Sequence, residues 1–526
     1  MARSSLLRHL QVLLRETDRE LHPEAYSRRD FLKTGAVVGG ALALTPLEAL
    51  AKIEKDARKL QPVAIVGMGA AGLMAAYELQ KAGIPFQMFE ASSRVGGRIF
   101  TDDRTFADQG QFCELGAELV NSDHETLHAL AKELGLTLED FAPGDKDLVT
   151  DLYVYEGIRY SSNEIKAAGL PLVKAVRADF KRIFGKAEPE VITATSPFRF
   201  NAQKYDEMSL AQYLDGQTSL PAWFRELMKI GYETESGVPA DKQSVLTLFS
   251  MFMGFEGDWS TYGTSDETCR IKGGSSRLIE AVHKKIKTAI NFKHQLIKVA
   301  EKNGKIDLTF QTSDEQKKLS FQQVLITVPL PVLRKIDGFS DQSLKLPSNV
   351  HKAIQELQYG FNSKTMLGFS QRVWRKSKKF DPCNGAVLSD LYTSVLWESS
   401  RLQKEPAGIL TAYSGSQKAF DVSLSKVSTI LSDIQTLFPG TKEAFNQKSA
   451  QFNWPKYPWA LGSYSSPAPG QYTTLNGLLH KPFLGRKLYF AGEHVSLNFS
   501  SYMEGGLETG ARAAKLIAAS AKEFAV

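Results

Sequence analysis

The chain has 526 residues, which is enough for two or three domains and an ample hydrophobic core. Its content of 43% hydrophobic and 23% charged residues is ordinary for a soluble globular protein. The net charge of +6 is small for this length, and Lys and Arg are spread along the chain, which argues against a nucleic-acid-binding protein.

The N-terminal segment has the features of an export signal. Residues 27–33 (SRRDFLK) resemble a twin-arginine signal, and a weakly apolar run at 35–44 follows them. This run is too short and too interrupted to span a membrane. Residues 49–51 (ALA) are typical of a cleavage site, so we expect a signal peptide over 1–51. The twin-arginine export machinery is then a partner, and the protein is expected to be exported folded, to the periplasm or beyond.

The segment after this leader has the pattern of a phosphate-binding strand and helix. Residues 63–66 are apolar and mostly β-branched, which predicts a buried parallel strand. Among the glycines that follow, Gly67 allows a tight turn, Gly69 lets the backbone approach a pyrophosphate, and Gly72 lets the next helix lie close to the strand. Residues 70–82 are rich in helix formers and predict that helix, whose N-terminus directs free N–H groups at the phosphates.

An acidic residue and a glycine pair come next. Residues 85–89 predict a second strand that ends at Glu90, where a carboxylate accepts hydrogen bonds from a ribose diol. NAD and FAD fit this half of the site equally well. The glycines of residues 94–98 (RVGGR) let the backbone pass close to the cofactor, and Arg98 is a charge-assisted partner for the diphosphate. This glycine pair resembles the second dinucleotide motif of the flavin amine oxidase family.

The resemblance to flavin amine oxidases continues into residues 114–118 (ELGAE), where members of that family run backbone along the flavin ring. It implies FAD as the cofactor. In this part of the chain the implied cofactor contacts are Gly67, Gly69, Ala71, Gly72, Glu90, Ala91, Gly97, Arg98, Gly116 and Ala117.

The middle of the chain carries a weaker resemblance. Residues 126–260 predict mostly helices with loops. Residues 270–274 (RIKGG) resemble the family's entry into a helix and a short strand, after which Leu296 is expected to touch the adenine. Residues 305–328 alternate enough to predict a hairpin that returns to the sheet.

A lysine opens a later strand. Residues 364–369 (KTMLGF) predict this strand, and alternation puts Lys364 on the same face as Met366 and Gly368. The segment resembles the family strand whose lysine holds a water against flavin N5 and assists the reaction with oxygen. The alternative is a solvated lysine at the start of a strand.

Two tyrosines resemble the aromatic cage of monoamine oxidases. There, one cage tyrosine follows a cysteine that bonds covalently to FAD. Residues 459–464 (WALGSY) resemble that segment, with Tyr464 as one wall and Ser463 in place of the cysteine, while Tyr502 is the second wall. The resemblance thus implies FAD bound without a covalent link. Two electron-rich ring faces hold a neutral amine in an apolar site, whereas ordinary half-buried core tyrosines are the alternative.

The C-terminal part predicts a strand, a loop and a helix. Residues 488–491 form a short apolar strand, with Gly492 and Glu493 at its carboxyl end, where open α/β sheets bind ligands. Glu493 is a candidate hydrogen-bond partner of the ribityl chain. Residues 503–518 predict a helix whose N-terminus, near Met503, directs N–H groups and partial positive charge at the flavin N1–C2=O edge.

Neither a disulfide framework nor a metal site is expected. The spacing of Cys113, Cys269 and Cys383 does not demand a bridge. No CxxC, HExxH or histidine cluster indicates a metal site, and Cys113 is expected to be a small buried hydrophobe.

The resemblance implies an α/β fold in which a discontinuous Rossmann-like FAD-binding domain is combined with an α+β substrate domain. The FAD-binding domain is assigned to residues 60–125, 268–340 and 480–520. The substrate domain, partly helical, is assigned to residues 126–267 and 341–479.

These motifs imply an FAD-dependent oxidase of a C–N bond, but different features of the sequence indicate different substrate classes. The motif set without a covalent cysteine is compatible with L-amino acid oxidases. Many such enzymes carry an arginine soon after the Gly-Ala pair to clamp the substrate carboxylate, whereas this chain has Glu118, Leu119 and Val120 there. The paired tyrosines are more like those of monoamine oxidases.

We favour an L-amino acid substrate, with oxygen as acceptor and 2-oxo acid, ammonia and hydrogen peroxide as products. A monoamine or polyamine substrate is the alternative. A flavin dehydrogenase with a membrane electron acceptor and a non-catalytic flavoprotein also stay open. The oligomeric state, a homodimer included, is not determined by the sequence.

Overall fold

The structure, a computed structural model, describes residues 60–257, 259–376, 381–421 and 423–524, so the signal peptide assigned to 1–51 lies outside the described residues. The strands are β1 (Val63–Val66), β2 (Phe86–Phe89), β3 (Thr101–Asp102), β4 (Cys113–Glu114), β5 (Leu138–Asp140), β6 (Leu152–Tyr155), β7 (Ile158–Tyr160), β8 (Cys269–Ile271), β9 (Ile290–Asn291), β10 (Gln295–Lys302), β11 (Lys305–Gln311), β12 (Gln316–Phe321), β13 (Val324–Ile326), β14 (Asn362–Phe369), β15 (Val387–Ser389), β16 (Val395–Glu398), β17 (Gly408–Gly415), β18 (Phe445–Asn453) and β19 (Leu488–Phe490).

The α-helices are α1 (Ala70–Lys81), α2 (Glu125–Glu133), α3 (Ser162–Phe184), α4 (Arg199–Asp206), α5 (Leu210–Gly216), α6 (Ala222–Ser236), α7 (Leu246–Phe252), α8 (Ser276–Lys285), α9 (Leu330–Leu333), α10 (Ser348–Glu356), α11 (Val373–Lys376), α12 (Val427–Leu437), α13 (Thr441–Ala444) and α14 (Met503–Ser520). Short 3-10 helices connect several of these elements, among them Trp454–Lys456 and Glu493–Val495. Among the helices of the described residues, none combines the length and apolar character needed to cross a membrane.

A five-stranded parallel sheet joins distant parts of the chain. Its strand order is β19-β13-β1-β2-β9, with every neighbouring pair parallel. All residues of β1, β13 and β19 are buried, as expected for strands covered on both faces. The parallel strands predicted near 63–66, 85–89 and 488–491 are all present, and the fold is the Rossmann-like α/β fold that the sequence predicted.

Helices α1 and α14 pack closely on this sheet because small residues line their contact. A Cβ atom on Gly510 would overlap the backbone of Ala71, and a Cβ on Gly506 would lie 3.2 Å from the Cβ of Ala70. The small residues Gly506 and Gly510 therefore lie on the face of α14 that contacts α1. This contact ties the last helix of the chain to the helix that follows the first strand.

Two further sheets complete the architecture. Strands β10, β11 and β12 form an antiparallel meander, which confirms the hairpin predicted within 305–328. A seven-stranded sheet has the order β18-β14-β17-β16-β15-β6-β7. The helices α3, α5, α6 and α7 share a hydrophobic core with residues of this sheet such as Leu388.

Of this sheet the sequence predicted only the strand at 364–369, and β6 and β7 depart furthest from expectation. They lie within the segment expected to be mostly helical, and β6 pairs with β15, more than two hundred residues later. Because β7 is only three residues long and largely exposed, it lacks the buried alternation that predicts a strand. The pairing joins the segments 126–267 and 341–479 in one sheet.

Candidate active site

One cavity of about 1030 Å³ lies between the five-stranded and seven-stranded sheets. The carboxyl ends of four parallel strands reach it, through Gly67, Glu90, Thr327 and Gly492. This is the edge at which open α/β sheets bind ligands. Sixteen of the predicted site residues line it: Gly67, Gly69, Ala71, Glu90, Ala91, Gly97, Arg98, Gly116, Ala117, Leu296, Lys364, Tyr464, Gly492, Glu493, Tyr502 and Met503.

The remaining predicted residue, Gly72, lies behind the turn. A Cβ on Gly72 would overlap the carbonyl oxygen of Gly67, so its role is the close packing of helix and turn that the sequence predicted for it. Gly67 has a φ of +96°, and a Cβ there would lie 2.6 Å from Thr327 Oγ1. The two glycine segments also approach each other, since a Cβ on Gly97 would lie 3.3 Å from the Cα of Gly69. Bare backbone therefore forms this end of the cavity.

Glu90 is held at the edge of this glycine cradle. Its carboxylate accepts hydrogen bonds from the backbone N–H of Met68 at 2.8 Å and of Ser92 at 2.8 Å. These bonds fix the carboxylate next to the turn before α1. The position agrees with the geometry expected of a ribose-binding acid after the second strand.

Arg98 and Glu493 are paired with each other. The guanidinium donates to Glu493 Oε1 at 2.9 Å and to the carbonyl of Ser463 at 2.6 Å, while Ser465 Oγ donates to Glu493 Oε2 at 2.7 Å. Burial raises the pKa of Glu493, but the Arg98 charge, His494 and hydrogen bonds outweigh burial and lower it to about 2. The sequence predicted that Arg98 contacts the diphosphate and Glu493 the ribityl chain. The structure adds an ion pair between the partly buried Arg98 and the buried Glu493, which connects both halves of the site.

The two predicted cage tyrosines both face the cavity. The Tyr464 hydroxyl donates to the backbone carbonyl of Glu235 and lies 2.8 Å from the Tyr413 hydroxyl. The Tyr502 hydroxyl donates to Ser265 Oγ at 3.0 Å. Burial is the main cause that raises the pKa of both phenols, so the rings stay neutral. Tyr413 belongs to the same wall, and no local sequence pattern on β17 had indicated it.

Lys364 is buried, which excludes the solvated alternative. It lies at the third residue of β14, opposite Tyr413 on β17. Its ammonium donates to the carbonyl of Gly116 at 2.8 Å and to Glu118 Oε2 at 3.0 Å. Burial raises the pKa of Glu118, but Lys364 and hydrogen bonds outweigh burial and lower it. The lysine therefore has a specific counter-charge beside the cavity.

Two carboxylates that the sequence did not predict also line the cavity. Within the part of the chain that the structure describes, neither Glu235 nor Glu267 has an ion-pair or hydrogen-bond partner for its carboxylate. Burial raises the pKa of Glu235 to about 7. Burial, followed by repulsion from Glu235, raises that of Glu267 to about 8. Acidic groups without a direct ion-pair partner among the described residues thus line the same cavity as the tyrosine wall.

The position where an arginine clamps carboxylates in many L-amino acid oxidases holds Glu118 and Leu119, and both line the cavity. A different arginine, Arg401, lines it from the other side. Its guanidinium stacks 3.7 Å from the centre of the Phe141 ring and lies 3.4 Å from Asp145 Oδ2. Its Nε is buried without a hydrogen-bond partner among the described residues.

Comparisons with known proteins decide the family. The family model described as flavin containing amine oxidoreductase matches residues 70–518. The chain belongs to this family. FAD is therefore the cofactor of this amine oxidoreductase, and the glycine cradle and the open strand ends fit a dinucleotide. A model of the twin-arginine translocation signal matches residues 25–45, so the amine oxidoreductase is exported across the membrane by that route.

Curated relatives and solved structures agree with the family. Two relatives are L-amino acid oxidase Bs29 of Bothriechis schlegelii and the L-amino-acid oxidase of Echis ocellatus. Each is 23% identical to this chain over 86% of its length, and the matches cover 89% of the first relative and 88% of the second. Among solved structures, putrescine oxidase bound to putrescine has a TM-score of 0.72 at 21% identity, covering 87% of this chain and 99% of that one. Cyclohexylamine oxidase from Brevibacterium oxydans IH-35A has a TM-score of 0.72 at 19% identity, covering 88% and 99%.

Proposed function

We propose that this amine oxidoreductase is an oxidase of small primary amines that carry a second positive charge, with oxygen as the electron acceptor. The observation that supports this proposal is the pair Glu235 and Glu267, which line the cavity without a direct ion-pair partner among the described residues. A dication supplies such a partner, because one of its amines binds the carboxylates while the other reacts. A structural neighbour that binds putrescine has the same fold.

The site residues have separable roles in this proposal. Gly67, Gly69 and Gly97 admit the diphosphate of FAD, and the N-terminus of α14 at Met503 directs N–H groups at the flavin. Tyr464 and Tyr502 orient the amine between their faces. The segments 126–267 and 341–479 cover the flavin and exclude water, which favours the neutral form of the reacting amine.

When bound, FAD would supply the redox chemistry, namely acceptance of a hydride equivalent from the carbon that bears the amine and transfer of two electrons, with two protons, to oxygen, which gives hydrogen peroxide. The oxidised substrate is an imine, and water converts it to a carbonyl compound and ammonia. Lys364, held beside the cavity, is proposed to place its positive charge where oxygen is reduced.

A second candidate is an L-amino acid, and a basic one fits best. Arg401 favours it, since this residue lines the cavity and a guanidinium is suited to pair with a carboxylate. The relatives named L-amino acid oxidases favour it too. A basic amino acid would use Arg401 for its carboxylate and Glu235 with Glu267 for its side chain.

A peroxide assay on four matched compounds tests the proposal. Butane-1,4-diamine is compared with butan-1-amine, and L-ornithine with L-norvaline, so that each pair differs in one terminal amine. We expect the diamine to exceed the monoamine in kcat/KM by about 100-fold, since an unpaired buried charge costs about 3 kcal/mol.

Each other outcome has a defined meaning. L-norvaline equal to L-ornithine would reject the dication, and oxidation of L-ornithine alone, lost in Arg401→Gln, would establish the second candidate. Rapid reduction of a dye without peroxide would show a dehydrogenase. An absence of flavin bleaching by all four compounds under anaerobic conditions would reject both substrate classes.

A further inference from the structure

A buried ion pair sits directly beside the segment that carries Gly116 and Ala117. Lys364 and Glu118 have side chains that are 8% and 5% exposed, and their charged atoms are 3.0 Å apart. Trp397 closes the group, because its indole N–H donates to the same Glu118 Oε2 at 3.1 Å. The Lys364 ammonium also lies 4.9 Å from the centre of the Trp397 ring. All three side chains line the cavity.

The hydrogen bonds of Lys364 leave one of its N–H donors available. An ammonium group has three N–H donors. Glu118 takes one of them and the carbonyl of Gly116 takes a second, at 2.8 Å. The third N–H therefore remains for the cavity that Lys364 lines.

We infer that Glu118 is a positioning residue, which holds Lys364 as a charged ammonium with one N–H donor directed at the space where oxygen is reduced. The inference rests on the proposed function, in which Lys364 assists oxygen. Glu118 contributes in two ways. It supplies the counter-charge that a buried ammonium needs. Its carboxylate also accepts a hydrogen bond from the indole N–H of Trp397, which fixes the carboxylate and thereby gives the lysine one orientation.

Other titratable groups act on the same ammonium. Glu114 and Glu267 are the further carboxyl groups whose charges interact with Lys364, and Cys113 is the thiol that does. Burial is the main cause that raises the pKa of Glu114 to about 7 and of Glu267 to about 8, and it raises that of Cys113 as well. Glu118 is the one of these four whose pKa is lowered, so it is the permanent counter-charge.

The test measures reoxidation separately from substrate oxidation. Holoenzyme is reduced with dithionite in the absence of any amine and mixed with oxygen, so the result does not depend on the substrate. We expect Glu118→Gln to slow reoxidation roughly 10- to 100-fold, as is usual when a residue that orients a reacting group is lost. The loss should grow with pH, because the variant lacks the negative charge that stabilises a buried ammonium. Glu118→Asp should restore part of the rate.

A second readout does not involve turnover. Sulfite adds to oxidised flavin as an anion, so its dissociation constant, read from the flavin absorbance, reports positive charge beside the ring. We expect Glu118→Gln to weaken sulfite binding increasingly as the pH rises, in parallel with Lys364→Met at high pH. A merely structural role would change the melting temperature without this pH dependence.

The controls separate the possible failures. Glu398→Gln is the matched control, since Glu398 is also buried and accepts hydrogen bonds from an indole, Trp374, and a cation, Arg375, yet does not line the cavity. It should reoxidise normally. In a Lys364→Met background, Glu118→Gln should have no further effect, and this double variant is expected to fold because no unpaired charge is left.

Three results would overturn the inference. One is a normal rate, pH profile and sulfite affinity in Glu118→Gln while Lys364→Met is slow. Another is an equal loss from Glu118→Gln with and without Lys364. If Lys364→Met itself reoxidises normally, the proposed role of the lysine fails, and the inference fails with it.

Discussion

Glu235 and Glu267 are expected to make substrate recognition depend on pH. With pKa values raised to about 7 and about 8, mainly by burial, the pair holds protons below pH 7 and loses them above pH 8. The fold binds these protons more tightly than the unfolded chain does. The resulting contribution to stability is therefore fully present below the ordinary carboxyl pKa of 4.5 and is lost as the pH rises from there to about 8.

The same titration predicts the direction of the substrate preference. We expect the ratio of kcat/KM for butane-1,4-diamine over butan-1-amine to rise about tenfold or more between pH 6.5 and 8.5, as the carboxylates become available to a cation. The monoamine corrects for deprotonation of the reacting amine. In the double variant Glu235→Gln with Glu267→Gln, the ratio should no longer change with pH. In Glu315→Gln, which alters an exposed carboxylate, it should change with pH as in the wild type. A flat ratio in the wild type would contradict the assignment.

The tyrosine wall gives a prediction about geometry. Tyr464→Ala or Tyr502→Ala should slow anaerobic flavin reduction by on the order of 10- to 100-fold, because the amine loses the face that orients it. FAD should be retained, since Gly67, Gly69 and Arg98 are untouched. Stopped-flow absorbance measures the rate. Tyr472→Phe, a buried tyrosine outside the cavity, is the control, and unchanged rates in both alanine variants would remove the wall from the mechanism.

The contact of α1 with α14 links the first and the last α-helix of the described residues. Because a Cβ on Gly510 would overlap Ala71 backbone, a larger side chain there would displace the first turn of α1 from α14. We expect Gly510→Val to destabilise the protein by roughly 1–3 kcal/mol and to weaken FAD binding. Thermal melts and FAD titration measure both effects. Ala519→Val, on the exposed side of α14, should do neither.

Elements with strict local requirements could be predicted from the sequence. The turn at Gly67 needs a positive φ and the packing at Gly72 needs a missing Cβ. Both positions therefore require glycine, and the spacing of these glycines is a pattern that can be recognised in the sequence. The charged groups that line the cavity left no such pattern. Glu235 is the penultimate residue of α6, Glu267 precedes β8 and Arg401 follows β16, and only tertiary packing brings them to one cavity. Whether Lys364 is buried or solvated likewise depends on Glu118, a partner from a distant segment.

At the scale of the whole molecule, the cofactor site exists only after complete folding. Gly67 and Glu493 are separated by more than four hundred residues, and the ion pair of Arg98 with Glu493 closes the site between them. A chain exported unfolded would have to form this site and acquire FAD outside the cell membrane. The twin-arginine signal at residues 25–45 agrees with this requirement, because that route carries folded proteins.

Export should therefore depend on the arginine pair but not on activity. We expect Arg28→Lys with Arg29→Lys to retain a yellow, active protein inside the cell, while the wild type is found in the exported fraction with FAD bound. Flavin fluorescence and peroxide production in each fraction measure this. Replacing the leader with one for unfolded export should yield colourless protein outside, because the strands that carry Gly67, Glu90 and Gly492 must assemble around FAD where FAD is made. Yellow, active protein exported by the unfolded route would show that the site can be loaded after export.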